Sequence, residues 1–304
     1  MNTEQVKLFQ ELVLTKEALG YKNDAFVYPL IAPIRPANSD VFKIPNRGTE
    51  HMKIYNMKRA PNTDILRVEP SLSYDTVSLE QTALDAAYPD EYNEPESFPK
   101  FDVRREYAEL LNLIFELSIE KAIADILTTS ANYDPSLVTT IGAGDHWDET
   151  TGTPLTDILG AIADVSDQRN PPNTLIVNDA VFLAMIQNSE IIDKWTGIDP
   201  NFPDDRAMAR LLMLDRVLVA KPKYEDPSTG DFTRVWDNFA ILCNLQPPTM
   251  WDSSFARIYR RTTYPKMRSF YDNNRDQWVT RRKDKINLAI RNELSGYLFI
   301  DPLS

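Results

Sequence analysis

The chain has 304 residues, ordinary apolar and charged fractions and a formal charge of −12. That length supports one large domain or two ordinary ones with a real core, and the negative charge argues against a dedicated nucleic-acid binder, which a polyanion would repel. No apolar run approaches the ~18–20 residues of a membrane span, and the opening MNTEQVKLFQELVL is amphipathic, unlike a basic-then-apolar signal peptide.

Thr3 can cap a short helix with Val6, Phe9, Leu12 and Val13 on one face, an amphipathic arm whose apolar partner must lie elsewhere. Pro29, Pro33, Pro36 and Pro45 then predict extended, non-helical chain from Tyr28 to Pro45. Residues 41–67 alternate in two short runs about Asn46-Arg47-Gly48, which reads as a long hairpin with a polar tip. Its charge is lopsided: Lys43, Arg47, Lys53, Lys58, Arg59 and Arg67 face only Glu50 and Asp64. Val68, Leu72, Tyr74 and Val77 mark further strand, and Asp85, Asp90, Glu91, Glu94 and Glu96 read as a solvated acidic loop.

Residues 102–130 contain no Gly or Pro. Asp102 is a good N-cap, and Val103, Tyr107, Leu110, Leu111, Ile114, Leu117 and Ala124 recur at helical spacing. The middle of this helix is apolar on more than one side, interrupted by Asn112 and Glu116, so it reads as a spine covered by several neighbours.

From Thr153 helices and strands alternate. Pro154 opens a helix carrying Leu155, Ile158, Leu159, Ile162 and Val165, and residues 174–177 form a strand. Asn178 caps the next helix, and a third begins near Asp204 and leads into strand 217–219. Residues 239–245 make a buried strand holding Cys243, a lone core thiol with no disulfide partner, which fits synthesis in a reducing cytosol. Residues 255–271 and 276–292 read as long strands about an Asn273-Asn274 turn, followed by a last strand, 297–300. Residues 253–285 hold ten basic residues against three acidic ones, which suggests exposed strand faces matching acidic patches on a neighbour. The fold class is α+β.

Motifs for catalysis are missing. The two histidines, His51 and His146, are far apart, and no phosphate-binding glycine loop, nucleophile elbow or Cys-x-x-Cys occurs. Carboxylate chemistry at residues 85–96 or at Asp145–Asp148 would make a hydrolase, the weaker alternative. No catalytic residue, metal ligand or cofactor is expected.

An amphipathic arm, a long basic hairpin, a spine helix, an α+β body and returning long strands, in that order, resemble the major capsid proteins of tailed bacteriophages, the Hong Kong 97-like fold. Arg59-Ala60-Pro61, Gly144-Asp145-His146-Trp147-Asp148 and Pro172-Asn173-Thr174-Leu175-Ile176-Val177 are local echoes. The resemblance implies an N-terminal arm and lead-in at 1–37, an extended loop at 38–75, a peripheral domain at 76–152, an axial domain at 153–250, and strands completing both at 251–304. It implies a structural protein of the virion that forms hexamers and pentamers of an icosahedral shell and encloses DNA without reading its sequence. Scaffolding, portal and decoration proteins are the implied partners, with no membrane. A cellular nanocompartment shell (an encapsulin) is the other reading of the same fold. Expected intersubunit contacts are Lys43, Arg47, Lys53, Lys58 and Arg59 on the hairpin and Asp90, Glu91 and Glu94 on the acidic tract. Some lineages cross-link a loop lysine to an asparagine; no acceptor is evident here, so that chemistry is not carried over.

Overall fold

A computed structural model describes residues 26–31, 34–47, 53–59, 64–69, 72–93, 103–168, 171–195, 203–245 and 254–304. The expected arm helix, the Asp102 cap and Glu94 lie outside these residues.

In chain order, a single helical turn, Tyr28–Ile31, precedes β1 (Ile34–Ala37), β2 (Val41–Arg47), β3 (Leu72–Ser78) and β4 (Glu80–Pro89). The turn corrects the expectation of non-helical chain: Pro29 stands at its second position, where the missing N–H is not needed. The spine helix, Val103–Leu127, leads to β5 (Val138–Thr140) and the helix Pro154–Gln168. Next come β6 (Thr174–Asn178), three short helices, β7 (Arg216–Ala220), β8 (Lys223–Glu225), β9 (Phe232–Arg234) and β10 (Phe239–Cys243). The chain closes with β11 (Ala256–Arg261), β12 (Lys266–Asp272), β13 (Gln277–Ile290) and β14 (Gly296–Ile300). The predicted 255–271 strand is therefore two strands, and the turn after Asp272 falls at Asn273-Asn274 as expected.

Two sheets organise the molecule. One runs β1-β11-β13-β12, with β4 pairing the other edge of β13; the second runs β5-β14-β10-β6-β7. The 14-residue β13 is the frame of the first sheet, because its N-terminal half pairs β12 and β4 while its C-terminal half pairs β11. Both faces of the second sheet are covered. Leu175, Val177, Ala240 and Leu242 pack under the Pro154–Gln168 helix and its neighbours, while Ile176, Leu218, Ile241 and Cys243 meet Ile123 and Leu127 of the spine. The period of two in a strand thus divides one continuous apolar sequence between two cores. Caps expected from sequence form: Asn178 accepts from the Val181 amide and Asp204 from the Ala207 amide, each at 2.7 Å.

The spine is covered on one side only, which corrects the expectation of burial all round. Leu110, Leu113 and Ile114 are exposed, whereas Asn112, Glu116 and Glu120 are buried. The physical reason is the partner: the sheet presents Arg282 to the spine, so the spine turns its polar stripe inward. Ile114 still sits within an unbroken helix. Ile114→Pro therefore deletes a backbone hydrogen bond and clashes with the preceding turn, costing about 3 kcal/mol or more. The expected result is a grossly destabilised or insoluble subunit; an unchanged melting temperature would contradict it.

Candidate assembly surfaces

The hairpin has a fixed root and an uncommitted tip. β2 pairs antiparallel with β3, Val41 opposite Ser78 and Arg47 opposite Leu72. The partner strand is therefore 72–78 and not the second run of the expected 41–67 hairpin; between the two strands the described residues are 53–59 and 64–69. Phe42, Ile44, Val77 and Leu79 cluster with Tyr259 and Ala289 on one face of the first sheet. Arg291 Nη2 donates to the Pro45 carbonyl (3.0 Å) and Asn287 Nδ2 to that of Ser78 (2.7 Å). Beyond the root, Ile54 and Met57 are 100% and 89% exposed, and Ile65, Leu66 and Val68 are also open. Lys43, Lys53, Lys58 and Arg59 are exposed on this element; the side chain of Arg47 is not among the described ones.

The acidic tract is only in part the solvated loop expected, and Glu94 and Glu96 lie outside the described residues. Asp85 lies within β4 opposite Arg281, and the two make a bidentate pair at 2.5 and 2.6 Å. That guanidinium, through its hydrogen bonds, holds the Asp85 carboxyl below the usual carboxylate range. Asp90 and Glu91 open a short 3-10 turn and are exposed; Asp90 accepts from Trp278 Nε1 at 2.6 Å. Because the folded-state pKa of Asp85 is depressed, its contribution is present above the ordinary aspartate range and lost as pH falls through the folded value. Melting temperature should therefore fall more steeply with acidification in the native chain than in Asp85→Asn. Parallel pH curves for the two proteins would contradict this.

Beneath the spine is a buried polar network that sequence reasoning missed. Glu120 accepts from Trp236 Nε1 (2.6 Å) and from the amides of Tyr28 (2.8 Å) and Val27 (3.3 Å). Glu116 accepts from the Tyr28 hydroxyl and faces Arg282 at 3.7 Å. Arg282 also donates to Asn112 Oδ1 at 2.7 Å, and Asp284 is 3.9 Å from Arg282 and 3.1 Å from Arg260. Burial pushes Glu120 up against the opposing pull of its three donors. The network pins the incoming chain at Val27–Tyr28 to the spine and the spine to β13. The signal for it was present: Asn112, Glu116 and Glu120 stand four residues apart, a polar stripe running through the apolar middle of the helix. It also corrects in part the reading of the basic tail as exposed strand faces matching acidic patches on a neighbour. Arg257 and Arg282 are buried, and Arg260, Arg261, Arg281 and Lys285 pair within the subunit.

The Asp145–Asp148 cluster is structural in its contacts. Trp147 is fully buried and donates to Asp157 Oδ2 at 2.9 Å, and Asp148 accepts from Ser304. Among the described residues no group of three or more His, Cys, Asp and Glu could hold a metal ion, and no helix is long and apolar enough to cross a membrane.

A strand-rooted projecting hairpin, a long spine on a frame sheet and a second, helix-covered sheet together define the Hong Kong 97-like capsid fold. Solved structures share it across almost the whole chain. A phage-related protein of Bordetella bronchiseptica RB50 has a TM-score of 0.79 and 21% identity, covering 96% of this chain and 97% of that one. The capsid of cyanophage P-SCSP1u gives a TM-score of 0.61 at 12% identity, covering 92% and 89%. The SrpI encapsulin of Synechococcus elongatus gives 0.56 at 10% identity, covering 96% of each. No protein-family model matches the chain. Among curated proteins it is similar to the major capsid protein of Burkholderia phage BcepMu, 21% identical over 262 residues, 83% of this chain and 84% of that protein. The chain thus shares the fold of phage capsid proteins and of an encapsulin shell.

Proposed function

We propose that this chain builds the icosahedral shell of a tailed bacteriophage virion, as hexamers and pentamers of itself enclosing the DNA genome. The observation that carries the reading is the hairpin: its root is bonded to the frame sheet while Ile54, Met57, Ile65 and Leu66 at its tip stand in solvent. Exposed apolar chain of this kind gains nothing in a monomer and is covered when it lies on a neighbour. In this reading the hairpin is the extended loop, and the spine with the first sheet is the peripheral domain. The second sheet with its helices, chiefly residues 153–250, is the axial domain. Lys43, Arg47, Lys53, Lys58 and Arg59 of one copy meet acidic surface on the next, with Asp90, Glu91 and Glu94 as candidate partners. Scaffolding, portal and decoration proteins would join at other surfaces, and the role is structural, without catalysis.

Two of the similar folds come from cellular or archaeal particles, but the curated relative is a phage protein, which favours the virion. Negative-stain microscopy and sedimentation of the purified chain at several salt concentrations test the proposal. Shells, hexamers or pentamers are expected, with or without an added scaffold. A monomer under every condition would overturn it, and a co-purifying cargo peptide would move the assignment to a nanocompartment.

A further inference from the structure

The hairpin root covers only half of one face of the first sheet. On that face the C-terminal half of the sheet is closed by the cluster about Tyr259 and Ala289. The N-terminal half lies beyond that cluster, and the register lines it with cations: exposed Lys266 stands opposite half-buried Lys283, and exposed Arg268 opposite half-buried Arg281, with the Tyr264 ring against Lys266 and Lys285. Like charges directly opposite on neighbouring strands oppose folding. Lys285 and Arg261 continue the row, both held by Asp40. On the flanking strand β4 the residues opposite Lys283 and Lys285 are Ala83 and Gln81, so Asp85 supplies the countercharge there: Arg281 takes its hydrogen bonds, and Lys283 and Arg268 feel its charge from farther off. Asp272, the next position along β12, is turned to capping the Asn274 amide. Among the described residues no carboxylate lies within ion-pair distance of Lys266, Arg268 or Lys283. Phe270 lies between Arg268 and Arg281, 5.0 and 5.1 Å from their guanidinium carbons, so the ladder is held upright.

We propose that this basic half-sheet is a docking face for acidic surface of a second copy of this chain. Charge complementarity selects that occupant. A chain of net charge −12 that concentrates ten of its basic residues in 253–285 is strongly acidic over the rest of its length. Exposed carboxylates such as Asp164, Asp167, Asp193, Asp204 and Asp205 lie on the helices of the other sheet. The hairpin, itself basic, is excluded from this face by its charge. The inference rests on the shell reading above, and the like-charge ladder becomes intelligible within it: repulsion tolerated in the free subunit is relieved on assembly.

The test is the triple variant Lys266→Gln, Arg268→Gln, Lys283→Gln. Its subunit is expected to melt at the same temperature as the native chain or higher, because the opposed charges are gone, while the concentration needed for assembly rises about tenfold or more. In native shells mixed from isotopically light and heavy chains, carbodiimide should join Lys266 or Lys283 to carboxylates of a different copy. Shells from the variant at the native concentration, or links confined to Asp85 of the same chain, would overturn the inference and leave the shell reading standing. A variant that assembles normally but loses retention on DNA would overturn it in favour of nucleic acid. Failure of the native chain to assemble at all would overturn both.

Discussion

A subunit whose residues 48–70 are replaced by a short Gly-Ser linker is expected to fold and to form no closed shells. The hairpin's contribution to its own subunit ends at its root, where Phe42, Ile44, Val77 and Leu79 pack on Tyr259, and β2 and β3 remain intact in the variant. The removed segment carries Ile54, Met57, Ile65 and Leu66, all exposed, so little apolar burial is lost from the monomer. Each lost ionic contact between copies is worth only about 0–1 kcal/mol, but it recurs at every subunit boundary of a shell. Charge reversals such as Lys53→Glu and Arg59→Glu should slow assembly without abolishing it, and salt should weaken the residual attraction further. Circular dichroism, thermal melting and electron microscopy read folding and assembly separately. Normal shells from the shortened chain would sink the proposal, and so would a subunit that no longer folds.

The second large effect is expected at Arg282. Arg282→Met removes a buried cation that lies between the buried carboxylates of Glu116 and Asp284, leaving the Tyr28 hydroxyl on the first and Arg260 beside the second. Breaking a buried ion pair by removing one partner costs about 3–5 kcal/mol, a large share of the ~5–15 kcal/mol that holds a typical domain together. Arg281→Met, one residue away, is the control. Its side chain points to the opposite face and its pair with Asp85 is partly exposed, so the cost is about 0–1 kcal/mol. Chemical denaturation of the two variants gives the comparison directly. Adding Glu116→Gln and Asp284→Asn to Arg282→Met should restore part of the loss. Equal destabilisation by the two single substitutions would show that the network under the spine does not carry this load.

Local physics was legible in the sequence. The spine, the Pro154 helix, the Asn178 and Asp204 caps, the β6, β7, β10 and β14 strands and the Asn273-Asn274 turn all follow from periodicity, capping side chains and breakers, which act within a few residues. The order of those elements was enough to name the fold. Registers and faces were not legible, because each depends on what another part of the chain supplies. The strand that pairs with Val41–Arg47 begins only at Leu72, and nothing near Arg47 specifies it. Asn112, Glu116 and Glu120 read as breaks in an apolar helix until β13 sets Arg282 against them. The basic tail read as one charged surface, yet its alternate residues go to opposite faces of a strand. Arg282 and Asp284 turn into the core, Arg281 and Lys285 find Asp85 and Asp40 across the sheet, and Lys266, Arg268 and Lys283 are left facing out. Sequence alone determined how much charge the segment carries; only the tertiary structure, by pairing strands remote in the chain, decided which of those charges are already neutralised and which remain for a partner.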